Sequence, residues 1–138
     1  MVSIMRTALD SSVLIQLYRK HPGWEAWRDR LTTAAGEGQL IISPVAFAEF
    51  SIAYPSLESA RADLQRLNIH YEPIEPAAAF LAGQVFLRYR RRGGPRQHLI
   101  PDFLIAAHAS VQADRLAALD RGYFRAHFPT LSLLTPTD

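Results

Sequence analysis

Short apolar runs alternate along the chain with longer stretches whose apolar positions recur every three or four residues. Residues 5–9 form the first apolar run, and it ends at Asp10. A run this short, bounded by polar residues, predicts a buried strand. Ser11 or Ser12 then opens a helix to about Lys20, followed by the turn His21-Pro22-Gly23. Trp24, Trp27 and Leu31 share one face of a helix over about 24–35, which Gly36 and Gly38 should end. Both tryptophans are expected in the core. Leu40–Ile42 reads as a second strand. Ser43-Pro44 is a helix start, with a capping hydroxyl before a proline at the first helical position.

The pattern continues in the same way. It predicts a helix over 56–67, a strand over 69–73 and a long helix from Pro76 to Arg92, closed by Gly93-Gly94. Pro101 opens another helix. Residues 116–119 read as a strand, 122–127 as a short helical turn, and 131–134 as the last strand. Strands alternating with helices, without repeats or linkers, predict one α/β domain over 1–138, with a mainly parallel central sheet flanked by helices.

Against this pattern four carboxylates stand out, each inside an apolar run: Asp10, Glu49, Asp102 and Asp120. Any one of them could point to solvent from a strand end or helix face. Glu49 argues against that, because its helical neighbours Val45, Ala46, Ile52 and Ala53 are all apolar. A buried carboxylate without a partner costs several kcal/mol, roughly, even after relaxation. Only Asp120 has an arginine beside it, Arg121. A divalent cation shared by the four accounts for them together. Asp10 and Asp120 follow strands, Asp102 opens a helix and Glu49 lies in the helix after the second strand. Ligands in open parallel sheets bind outside the C-terminal strand ends.

Composition narrows the chemistry. The chain has no cysteine, which excludes disulfides, zinc–thiolate sites and cysteine nucleophiles and leaves oxygen as the plentiful metal donor. Hard oxygen donors favour Mg²⁺ or Mn²⁺, as one ion or two. No apolar run approaches a membrane span of about 20 residues, and the N-terminus lacks the pattern of a signal peptide, so a cytoplasmic protein is expected. The formal net charge is +2. With the four clustered carboxylates offset by cations, 15 basic side chains face nine remaining acids, a balance suited to a polyanion. Fourteen of the 15 are arginine, which binds phosphate bidentately but equally reflects a GC-rich genome.

The ordered segments LDSSVLI (9–15), ISPVAFAEF (42–50), PDFLIAAHA (101–109) and LAALDRGYF (116–124) resemble the motifs of PIN-domain nucleases, above all the VapC-type ribonuclease toxins of bacterial toxin–antitoxin modules. The resemblance covers nearly the whole chain, and Asp120 follows Asp102 by 18 positions as in that family. It implies that Asp10, Glu49, Asp102 and Asp120 are catalytic metal ligands, with Ser12 orienting Asp10. It implies a metal-dependent endoribonuclease acting on tRNA or ribosomal RNA, a protein antitoxin as partner, and often a homodimer. An RNA-processing nuclease, or a binding module that does not cleave, is the alternative.

RYRRRGGPRQH (88–98) is the expected RNA contact, through Arg88, Tyr89, Arg90, Arg91, Arg92, Arg96 and His98. The same residues fit a solvated helix end, where positive charge favours the dipole. His108, among alanines, reads as a packed residue. His21, His70 and His127 read as surface or turn residues.

Overall fold

A computed structural model describes residues 4–93, 99–119 and 121–136, leaving aside the side chains of Leu99, Arg121 and Tyr123. The chain runs β1 (Met5–Leu9), α1 (Ser11–Arg19), α2 (Trp24–Glu37), β2 (Gly38–Ile42), α3 (Pro44–Ser51) and α4 (Leu57–Arg66). It continues through β3 (Ile69–Tyr71), α5 (Pro76–Arg91), α6 (Leu99–Gln112), β4 (Arg115–Ala117), α7 (Arg121–His127) and β5 (Leu133–Leu134). The five strands form one sheet in the order β3-β2-β1-β4-β5, and every pairing is parallel. β1 is central. The chain leaves it towards β2 on one side and later returns to pair β4 on the other, so a crevice opens at the carboxyl ends of β1 and β4.

Local chemistry explains most boundaries. Ser43 caps α3 by accepting the Ala46 N–H at 3.2 Å, with Pro44 at the first helical position. Asp10, not Ser11 or Ser12, caps α1; its carboxylate accepts the Ser12 N–H. α6 begins at Leu99, so Pro101 falls in its first turn, where its missing N–H has no helical partner to lose. β3 stops at Tyr71, although Glu72 still donates its N–H to Ile42 O at 2.9 Å; Pro73 then has no donor to extend the ladder. β4 starts one residue before the expected run and stops at Ala117, and β5 keeps only the last two of its four residues. Buried Leu131 instead closes a turn on Phe128.

Gly36 does not end its helix. α2 runs through it to Glu37, since one interior glycine costs only about 1 kcal/mol. Gly38 is the residue the fold requires. A Cβ there would stand 1.9 Å from Met5 O, across the β1–β2 register. Gly38→Ala should therefore push the central strands apart and destabilise the protein by about 1–3 kcal/mol or more, read as a fall in the urea midpoint. Gly36→Ala, with open space at its Cβ position, should not.

The core lies on both sheet faces, with Phe50, Phe103, Leu9, Leu14, Ile41, Ile42, Ile105 and Leu116 fully buried. α5 and α6 pack as an antiparallel pair: Glu75, capping α5, donates its N–H to Gln112 at the end of α6 at 2.8 Å. The basic end of α5 therefore lies beside the start of α6. Arg6 ties β1 to its surroundings through Gln39 (2.6 Å), Gln112 O (3.0 Å) and Glu72. His108, 1% exposed, meets Glu72 Oε1 at 2.9 Å; burial holds its pKa below the ordinary value. It is the packed residue its alanine neighbours predict. Among the described residues no helix is long and apolar enough to cross a membrane.

Candidate active site

Asp10 sits where β1 gives way to α1, and it is buried, with 7% exposure. Two bonds from Ser12, through its N–H (3.3 Å) and its hydroxyl, hold one carboxylate oxygen. The Asp10 N–H reaches Ala117 O at 2.9 Å, and the Leu119 N–H reaches Ser12 Oγ at 3.3 Å. The end of β4 is thereby laced to the start of α1, across the crevice.

Glu49 enters from α3, half-buried. Ser11 donates its hydroxyl to Glu49 Oε1 at 2.8 Å. Helix α1 thus begins with two adjacent serines that hold two different carboxylates. Burial raises the Asp10 pKa above its ordinary value; the Ser12 bonds lower it, and the Glu49 charge raises it further. Among the described residues neither Asp10 nor Glu49 is paired with lysine or arginine. Among the described residues, the buried Asp10 and the half-buried Glu49 are thus held by hydroxyls and a backbone N–H.

Asp102 lies in the first turn of α6, half-buried. α6 packs on β1 and α3, and because it returns the chain to the parallel strand β4, its first turn stands at the carboxyl edge of the sheet. Asp120 lies outside the described residues, directly after Leu119. Among the described residues, no three Asp, Glu or His side chains stand close enough to hold an ion as they are placed. The structure brings Asp10 and Glu49 together and sets Asp102 on a neighbouring element.

The face argument for Glu49 holds only in part. Ala46 is fully buried, but Ile52, one turn on, is 84% exposed. α3 ends at Ser51, and Ile52 leaves the packed face with it. Ser11, expected as a helix cap or orienting group, proves to be the link to Glu49; helical spacing alone carries no signal for that particular contact.

The basic segment begins as the end of the helix expected to run from Pro76 to Arg92. Arg88, Tyr89, Arg90 and Arg91 form the last turn of α5, and Arg92 caps it. Arg88, Arg91 and Arg92 are exposed, and Arg90 is half-buried. Tyr89 is committed to packing against Phe86, Phe103 and His127. Arg96 and His98 lie outside the described residues. His127 is not a simple surface residue, because its ring packs on Tyr89 and Phe103. Trp27 is core, at 3% exposure, but Trp24 is only half-buried, with Lys20 and Arg28 over its ring at 5.4 and 5.1 Å.

The PIN-domain family model matches residues 7–128, a span that includes every element from β1 to α7 apart from the first two residues of β1. Ribonuclease VapC10 of Mycobacterium tuberculosis is 36% identical over 130 residues, which cover 93% of this chain and 90% of that protein. This chain is a PIN-domain protein of the VapC type. The PIN fold recurs in the VapBC2 complex of Rickettsia felis bound to a promoter DNA fragment, with TM-score 0.72, 20% identity and 94% and 98% of the two chains covered. It recurs also in VapBC-1 of nontypeable Haemophilus influenzae, with TM-score 0.70, 17% identity and 97% and 100% coverage. In this PIN domain the paired carboxylates thus occupy the switch point of the sheet, where the architecture itself leaves room for a ligand.

Proposed function

We propose that this chain is the endoribonuclease toxin of a bacterial toxin–antitoxin pair and hydrolyses RNA phosphodiester bonds with Mg²⁺ or Mn²⁺. One observation carries the reading: buried Asp10 and half-buried Glu49 come together at the carboxyl edge of the sheet, with hydroxyls and a backbone N–H but no cation from the protein's described side chains. Oxygen donors of this kind fit a hard divalent ion. Asp10, Glu49 and Asp102 would hold it, with Asp120 as the fourth ligand. Such a cation supplies Lewis acidity towards water and a phosphate oxygen. The kinship with VapC10, a ribonuclease by name, supports the choice of RNA.

The chain's own residues have distinct tasks in this reading. Ser12 fixes the rotamer of Asp10 and Ser11 that of Glu49, so both carboxylates are aimed before substrate arrives. Leu119, bonded to Ser12, ties the strand leading to Asp120 into the same frame. The arginines at the end of α5 grip the RNA backbone and orient the scissile bond. No serine is needed as a nucleophile.

The solved relatives are complexes of VapC with VapB, and we extend a small protein antitoxin to this chain. A groove between α1, α2 and α4, about 340 Å³, lined by Leu14, Leu17, Trp24 and Leu67 and edged by charged groups such as Arg28 and Asp63, offers it a partly apolar surface. This accounts for a tryptophan left half-exposed.

Induction of the chain alone should arrest bacterial growth, whereas Asp102→Asn should not. A panel of tRNAs and ribosomal RNA, incubated with purified protein, identifies the target. Equal growth of both strains, with soluble protein present in each, would refute the toxin reading and favour RNA processing or binding without cleavage.

A further inference from the structure

Between the last turn of α5 and α7 lies a cavity of about 180 Å³, lined by Val85, Arg88, Tyr89, Arg92, Ala126, His127 and Pro129. It is smaller than the roughly 300 Å³ at which drug-sized pockets begin, so it suits one small group. Arg88 and Arg92 are four residues apart on one helical face, and both line this space. His127 faces them from α7. Among the described residues that line it none is acidic.

Several features make this more than a solvated helix end. The Tyr89 and Phe103 rings hold His127 in place, and Phe103 is itself fully buried. Burial first, and the Arg92 charge after it, lower the His127 pKa, while Arg88 and Arg92 give the cavity its positive side chains. The carboxyl end of α5 carries the negative end of the helix dipole, so attraction here comes from side chains and not from backbone. The cavity also lies at the end of α5 that adjoins the start of α6, which carries Asp102.

We propose that this cavity is a phosphate subsite, in which Arg88, Arg92 and His127 hold an RNA backbone phosphate flanking the scissile one. The inference rests on the RNA-directed reading above and deepens it. Two guanidinium groups bind two phosphate oxygens as hydrogen-bond donors. The imidazole donates to a third oxygen or to the sugar. The contact is independent of base identity, so it positions the strand and leaves sequence choice to other residues.

The test uses the full chain in EDTA, with a short oligouridylate as probe, so that neither metal nor cleavage contributes. NMR follows the His127 ring, and affinity is measured at several salt concentrations for the parent, for Arg88→Gln/Arg92→Gln, and for the charge-matched control Arg61→Gln/Arg66→Gln on α4. The expected result is movement of the His127 resonances in the parent. The α5 variant should bind at least about tenfold more weakly, with its salt slope flatter by about one phosphate's worth, roughly 0.7 for single strands. The control should lose less affinity and leave the His127 response intact. A His127 ring indifferent to RNA, or an α5 variant with the parental salt slope, would overturn the subsite. So would a ring that responds to an acidic peptide and not to the oligouridylate, since the cavity would then take a protein carboxylate. Cleavage with Mg²⁺ is assayed separately on the parent. A protein that binds through this cavity but cuts nothing would remove the nuclease reading and leave the subsite standing.

Discussion

Asp10→Asn should abolish RNA cleavage and leave a folded protein at least as stable as the parent. Asparagine keeps an oxygen to accept the two Ser12 bonds, so α1 retains its cap. What disappears is one negative charge from a buried corner already shared with Glu49. Altering even an outer-shell partner of a metal ligand costs about 10–100-fold, and loss of the ligand itself should exceed that. The stability effect has a definite pH dependence. Asp10 titrates above its ordinary value of 3.8 in the folded protein, so the native state binds a proton that the unfolded chain has released. The metal-free parent should therefore gain stability as pH falls from neutral through the raised pKa, levelling off below the unfolded value. The variant lacks that gain, so its advantage over the parent should be largest near neutral pH and shrink on acidification. Urea melts across this range, paired with cleavage assays, check both parts. Full activity in the variant would remove Asp10 from the metal site.

Removing divalent cations should have an effect of similar size, and it should be reversible. Among the described residues nothing near Asp10 is equipped to hydrolyse a phosphodiester alone: the groups there are carboxylates and hydroxyls already engaged with each other. EDTA should halt cleavage, and Mg²⁺ or Mn²⁺ should restore it. The ion should also stabilise the fold, because it offsets the burial cost, and the smaller Glu49 repulsion, that raise the Asp10 pKa. Ligand at a hundred times its dissociation constant adds about 2.7 kcal/mol, on the order of 10 °C in Tm for a domain of this size. Asp10→Asn should lose most of that shift. Undiminished cleavage in EDTA, by protein stripped of tightly held metal, would overturn the mechanism; a Tm insensitive to both ions would overturn the ligand set.

Much of this protein is written in its sequence as a one-dimensional pattern. Apolar runs of strand length, Ser43-Pro44 and Pro76 marked where elements lie, because propensity and capping act between near neighbours. A mainly parallel sheet followed from strands separated by helices, and the structure makes every pairing parallel. The four carboxylates were conspicuous because solvation makes charge rare in apolar surroundings, and their order along the chain carried the PIN resemblance. Tertiary structure decided what depends on approach between distant segments. The 1.9 Å gap that reserves Gly38 is a property of β1 lying beside β2. The bond from Ser11 to Glu49 spans 38 positions and exists because α1 and α3 cross at one end of the sheet. Packing also turned Tyr89 and His127 towards Phe103, left Trp24 at the rim of a groove, and faced Arg88 and Arg92 across a cavity to α7. Local preference says which residues form a helix; the direction each face takes is set by what the rest of the chain brings against it.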